Sequence, residues 1–258
     1  MIQHEQALEW AKQYLISFKN ADVLKHEKVV KASYSIVYKI ETNQGCFYLK
    51  LVPEALFTET KLLSFMHQQG CANIPTILAN NPDYLCFLMT SCGEISLRHH
   101  FNKKIDLAKL TLGISNYTKI QRTLENEIQP ILLLGIPDWR LDKFVSLYYK
   151  LIQKEELLIN DGLTKAEIDH LHQLYNTCVK LCDELSQHGI PETISHCDFH
   201  ENNMLIEKKT GEINIIDWGE TVISHPFFSL NGCLWNIVHF NELQETDLEY
   251  QQLQLHCI

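Results

Sequence analysis

The chain has 258 residues, 45% hydrophobic and 21% charged, which is enough apolar material for a packed core and too much for a disordered chain. With 10 glycines and 7 prolines it is neither collagen-like nor a Pro/Gly low-complexity sequence, and no apolar run approaches the ~20 residues that span a bilayer. The net charge of −10 opposes nucleic-acid binding, which needs Lys and Arg on phosphates; it would favour a cationic small-molecule ligand, and a solubilising acidic surface accounts for it equally well.

Met1–Glu5 shows no basic stretch followed by an apolar one, so the expected location is cytoplasmic. Residues 2–18 place Ala7, Leu8, Ala11, Tyr14 and Leu15 at helical spacing and predict one amphipathic helix. Ser33–Ile40 and Cys46–Val52 are rich in β-branched and aromatic residues around a Glu41–Gly45 turn, which predicts an antiparallel hairpin. Pro53 ends it, and Glu54–Gln69 has the period of a helix. Ile74–Leu78 and Tyr84–Met89 predict two further strands, giving a small β-β-α-β-β unit.

Composition changes at 90–93. Residues 1–92 carry eight acids and eight bases, so the whole net charge falls on 93–258, which from about residue 104 reads as successive helices. The expected division is therefore a lobe at 1–92 and a helical lobe at 93–258, with a linker at about 88–93. The clearest helix is 164–188, opened by a Thr164/Glu167 capping-box signature and carrying an apolar stripe from Ile168 to Leu185. Cys178 and Cys182, four apart on that stripe, read as core thiols. The nine cysteines are odd in number and form no C-x-x-C pair, which argues against a disulfide framework and a zinc ribbon.

The chemistry gathers after that helix. In 194–206 stand His196, Asp198, His200 and Asn203; a turn at 208–212 follows, then the apolar strand 213–219 bearing Asp217. Phosphoryl transfer needs such a set: one carboxylate facing the incoming hydroxyl, and an amide oxygen with a second carboxylate to hold Mg²⁺ on the β- and γ-phosphates. The H-x-D-x-x-x-x-N spacing and the Ile216-Asp217-Trp218 strand end resemble the aminoglycoside phosphotransferase and choline kinase family, relatives in fold of the protein kinases. The match is specific over 194–220 and extends through the N-terminal element order to most of the chain.

The resemblance implies an α+β, bilobal, protein-kinase-like fold: a small antiparallel sheet with one main helix, then a mostly helical lobe. It implies an ATP- or GTP-dependent, Mg²⁺-dependent kinase acting on a hydroxyl of a small, amine-bearing molecule. Carried over by position, Asp198 is the expected catalytic carboxylate and Asn203 and Asp217 the expected Mg²⁺ ligands, with His196 and His200 supporting the loop. Lys50 is the expected phosphate-binding lysine and Glu59 its ion-pair partner, with Glu54 an alternative five residues earlier. Met89 and Ser91 fall in the linker expected to bond the adenine. The phosphate loop departs from the glycine-rich form: Lys31–Ile36 has no glycine, and Ser33 and Ser35 are the expected donors. A catalytically weak nucleotide-binding module of the same fold is the alternative that this departure motivates. Absence of G-x-x-x-x-G-K-[ST] excludes the P-loop kinases. Beyond Asp217, a helix is expected to begin near His225–Leu230, with Leu234, Trp235, Val238 and Phe240 as its apolar stripe and an acidic patch at Glu242, Glu245, Asp247 and Glu249.

Overall fold

The computed structural model describes residues 2–102, 104–240, 243–244, 246–248 and 250–252, with Ile2 and Gln3 as backbone only. Helix α1 (Ile2–Lys19) leads into β1 (Val23–Lys31), β2 (Ile36–Thr42) and β3 (Gly45–Leu51), then α2 (Glu59–Gln68), β4 (Ile77–Asn81) and β5 (Cys86–Thr90). The five strands form one antiparallel sheet in the order β1-β2-β3-β5-β4. There follow β6 (Ile95–Ser96), α3 (Leu97–Phe101), α4 (Leu107–Leu124), α5 (Ile128–Leu133), α6 (Leu141–Ile152), α7 (Glu155–Asn160), α8 (Lys165–Gln173) and α9 (Tyr175–Ser186). The chain then forms β7 (Thr193–His196), β8 (Met204–Ile206), β9 (Ile213–Ile215), β10 (Thr221–Ser224) and α10 (Phe227–Phe240). Strands β6, β8 and β9 make a small antiparallel sheet, and β7 pairs with β10. The α+β kinase-like architecture is the one expected.

Two cores hold the molecule. In the first, Ala7, Leu8, Ala11 and Leu15 of α1 press on Ile40, Leu49 and Leu88 of the sheet; the small alanines let the helix approach closely. The second joins Leu62, Leu63 and Met66 of α2 to Leu110, Tyr117 and Ile120 of α4, to Ile194 and Phe199, and to Trp218. Helix α2 thus belongs by packing to the core of the helical region, although in sequence it lies between sheet strands.

Several expectations change. Strand β1 is absent from the sequence reading because Val23–Lys31 is exposed along almost its whole length, so no alternation marks it. Strand β2 begins at Ile36 rather than Ser33: residues 32–35 are the β1–β2 turn, closed by the Ala32 amide on the Ser35 carbonyl at 2.9 Å. The helix expected from Glu54 starts at Glu59, because a separate 3₁₀ turn (Glu54–Leu56) follows Pro53. The helix expected over 164–188 is interrupted at Leu174, and of its stripe only Ile168 and Cys182 are buried, since α8 and α9 pack chiefly on each other and on α6. The capping box itself forms: Thr164 and Glu167 bond each other's backbone. Helix α10 starts as expected, but its buried face is Ser229, Cys233 and Ile237, one turn apart, which leaves Trp235 and Phe240 exposed at 61% and 51%. Of the acidic patch, Glu242, Glu245 and Glu249 lie outside the described residues.

Two glycines fix close approaches. Gly93, at φ +152°, passes so near β8 that a Cβ would meet the Ile206 carbonyl oxygen at 2.7 Å. Gly113 lets α4 cross Met204, whose sulfur would stand 2.6 Å from a Cβ.

Candidate active site

Lys50 is placed by the register of the sheet, opposite Val37 of β2 and Phe87 of β5, with its ammonium 5.8 Å from the Phe87 ring centre. It is 5% exposed and Glu59, the first residue of α2, is 1% exposed; Lys50 Nζ donates to Glu59 Oε2 at 2.6 Å. Glu54 is exposed and takes no part. Lys50 also donates to Asp217 Oδ1 at 2.5 Å, while the second Glu59 oxygen accepts the Trp218 amide at 3.0 Å. Burial disfavours the ammonium, but Glu59 and then Asp217 outweigh it and raise the Lys50 pKa above the ordinary lysine value. Asp217 stands just after β9 at φ +68°, a left-handed conformation that Asp tolerates better than most residues. Its side chain is partly open to solvent.

The loop after β7 carries the second group. His196 is fully buried: Nδ1 accepts the Asp198 amide at 3.2 Å and Nε2 donates to the Ile216 carbonyl at 2.9 Å, which fixes one neutral tautomer and ties the loop to β9. Burial lowers its pKa, in keeping with that form. Asn203 Nδ2 donates to both the carbonyl of Asp198 at 2.9 Å and its Oδ2 at 2.8 Å. His200 accepts the Asn202 amide through Nδ1 and turns Nε2 to Asp198 Oδ1 at 3.1 Å. Burial works against the Asp198 carboxylate, yet these bonds from His200 and Asn203 hold its pKa below the ordinary value.

Lys50, Glu59, Asp198, His200, Asn203 and Asp217 all line one cleft of about 560 Å³ between the sheet and the helical region. Met89 and Ser35 line it too. Ser33 does not: it borders a separate shallow cavity with Pro53 and Leu85, which Ser35 also lines. Ser91 is also turned away, its amide bonded to the Cys46 carbonyl at 3.3 Å and its hydroxyl to the Gly93 carbonyl at 3.4 Å. Thr90, Cys92 and Gly93 border the cleft beside Met89 instead. Among the described residues, no three His, Cys, Asp or Glu side chains are grouped to hold a metal unaided. A cation there would take oxygens from Asp217 and Asn203 and complete its shell from a ligand.

Comparison with protein families gives a match to the model of the phosphotransferase enzyme family (APH) over residues 28–255, most of the chain. The chain belongs to that family. Solved structures similar to this phosphotransferase include an ethanolamine kinase of Plasmodium vivax, with TM-score 0.63 and 15% identity over 98% of this chain and 78% of that one. Another is a choline kinase of Streptococcus pneumoniae, with TM-score 0.61 and 14% identity over 99% and 80%. A third is an aminoglycoside phosphotransferase of Streptomyces rimosus in complex with ADP and streptomycin, with TM-score 0.60 and 15% identity over 98% and 90%. Among curated proteins there is no match. Among the described residues, no helix is long and apolar enough to cross a membrane.

Three residues of this phosphotransferase site lie outside the sequence reading. Arg98 of α3 lines the cleft, with Nε 2.7 Å from the buried Glu201 and its guanidinium 3.7 Å from the centre of the Phe240 ring. Glu220, three residues after Asp217, has a carboxyl pKa raised by burial and by the negative fields of Asp198 and Asp217. Tyr117 of α4 underlies the loop. None belongs to a short-range motif, although Glu220 lies only three residues beyond Asp217.

Proposed function

We propose that the protein is an ATP- or GTP-dependent, Mg²⁺-dependent kinase that transfers the γ-phosphoryl group to a hydroxyl of a small, amine-bearing molecule in the cytoplasm. The observation that carries this reading is the convergence of Lys50, Glu59, Asp198, Asn203 and Asp217 on one cleft. In it, Lys50 contacts the α- and β-phosphates while Glu59 keeps the ammonium in place, and the adenine or guanine lies against Met89 and the strand end beside it. Ser35, the hairpin serine that borders this cleft, would supply a donor to the phosphates.

The residues fit a magnesium ion. Both Asn203 amide protons' nitrogen is committed to Asp198, which leaves the amide oxygen free to coordinate; with the Asp217 carboxylate this makes two hard oxygen donors. Bound there, Mg²⁺ supplies neutralisation of the β- and γ-phosphate charge. Asp198, held through Oδ2 by Asn203 and through Oδ1 by His200, orients the acceptor hydroxyl and receives its proton as the hydroxyl oxygen bonds to the γ-phosphorus and the bond from that phosphorus to the β–γ bridging oxygen breaks, releasing the nucleoside diphosphate. The acceptor class is supported by the charge of −10 and by the amine-bearing molecules named for the structural neighbours: ethanolamine, choline and streptomycin.

A thermal-shift titration with ATP and GTP, each with and without Mg²⁺, tests it, because a ligand of the native state raises stability by mass action. A metal-dependent shift is expected, followed by nucleotide consumption with one of a panel of aminoglycosides, choline, ethanolamine and amino sugars. Absence of any shift at millimolar nucleotide overturns the reading.

A further inference from the structure

Tyr117 stands in the middle of α4, far in sequence from the loop that bears Asp198, and is 2% exposed. Its hydroxyl accepts the His196 amide at 2.9 Å, and its ring stacks on Phe199 with centres 4.1 Å apart and planes 23° from parallel. It therefore grips the residues on both sides of the Cys197–Asp198 step. The hydroxyl also lies 2.7 Å from Ser229 Oγ, with which it shares a hydrogen bond, and 3.2 Å from Gln121 Nε2. Burial pushes the phenol above its ordinary pKa, and it stays neutral. Ser229 contacts Ser195 Oγ at 2.8 Å, and Gln121 donates onward to the Ile194 and Pro226 carbonyls at 3.0 and 3.1 Å. The buried network thus joins α4, β7 and α10 beneath one loop.

We propose that Tyr117 is a positioning residue for phosphoryl transfer, holding the Asp198 carboxylate against the acceptor by bonding the His196 amide and stacking on Phe199. The inference rests on the reading of Asp198 as the carboxylate that meets the acceptor. The backbone on either side of Asp198 has two independent restraints from one side chain, in addition to the bonds that Asp198 itself makes with His196 Nδ1, Asn203 and His200. Removing the hydroxyl leaves the ring in place and strands a buried amide. The carboxylate then samples positions from which the hydroxyl is out of line, which slows the chemical step and leaves nucleotide binding alone.

The test compares Tyr117→Phe with Ser229→Ala, which cuts the same network but leaves both contacts of Tyr117 with the loop. Hydrolysis of Mg·ATP with water as acceptor supplies kcat and KM, and amide hydrogen exchange over 194–201 supplies a readout independent of activity. Tyr117→Phe is expected to lower kcat by about tenfold or more, with KM for ATP within about twofold of wild type, and to speed exchange at the His196 amide. Ser229→Ala is expected to lower the melting temperature without that loss in kcat. Equal kinetic profiles for the two variants, or unchanged His196 exchange in Tyr117→Phe, overturn the proposal. Should Tyr117→Phe not fold, wild-type exchange decides: a His196 amide exchanging as fast as exposed loop amides removes the restraint and the proposal with it. A wild type that neither binds nor hydrolyses nucleotide overturns the kinase reading, and the catalytic half of the proposal falls with it; the exchange data then still report on the restraint.

Discussion

A buried ammonium with two carboxylates is stable only as a set, and the Lys50, Glu59 and Asp217 side chains make such a set. Lys50→Met is expected to destabilise the protein by about 3–5 kcal/mol, because Glu59 is left buried without its counter-ion; urea unfolding measures it, and a change under about 1 kcal/mol would show that Glu59 is neutral or solvated. Asp217→Ala removes a solvent-accessible partner, so its expected effect is on ligands: nucleotide-induced stabilisation that no longer depends on Mg²⁺. Asp198→Asn keeps the shape of the side chain and is expected to leave nucleotide binding intact while lowering turnover about 100- to 10,000-fold; wild-type turnover would take Asp198 out of the mechanism. At this scale the sequence was legible where spacing along the chain brings residues together, as for His196, Asp198 and Asn203 on one loop. It was not legible for Tyr117 or Arg98, whose partners are supplied by distant segments. Ser33 shows the limit from the other side: of the two serines in the β1–β2 turn only Ser35 reaches the cleft, and which one does so is set by the turn's three-dimensional course rather than by residue type.

Among the elements, the strand end after β5 is governed by one backbone position. Gly93 combines φ +152° with a carbonyl at 2.7 Å from any added Cβ, so Gly93→Ala is expected to cost more than about 1 kcal/mol and to raise the KM for nucleotide, since Met89, Thr90 and Cys92 border the same cleft. Thr164→Ala is the matching control. Loss of the capping box is expected to cost about 1 kcal/mol in urea unfolding, with nucleotide binding unaltered because α8 does not reach the cleft. The elements that sequence patterning foretold are those with one buried face, such as α1 and β2–β3. Strand β1 escaped because its nine residues bury almost nothing, and α10 was assigned the wrong face because its inner side uses small Ser229 and Cys233 rather than large apolar residues.

The whole molecule carries a pH dependence set by its buried imidazoles. His196 and His225 are both held below the ordinary value of 6.5, chiefly by burial, so the unfolded chain takes up protons that the folded one resists. Stability from these groups is complete above pH 6.5 and is lost as pH falls toward their folded values; the urea midpoint is expected to be lower at pH 5.5 than at pH 7.5, and an equal or higher midpoint at pH 5.5 would contradict it. The two cores bear on motion in a way that chain order conceals. Because α2 packs with the helical region while Lys50 rides on the sheet, the packing divides at the cleft into the sheet with α1 on one side and the helical region with α2 on the other. The chain crosses between them near 52–58, 69–76 and 90–93, and a rotation of one against the other about those crossings would stretch the Lys50–Glu59 bond. Spin labels report it directly: the distance from Lys25 to Ser64 should broaden without nucleotide while that from Ser64 to Thr123 stays narrow, and the opposite pattern would assign α2 to the sheet.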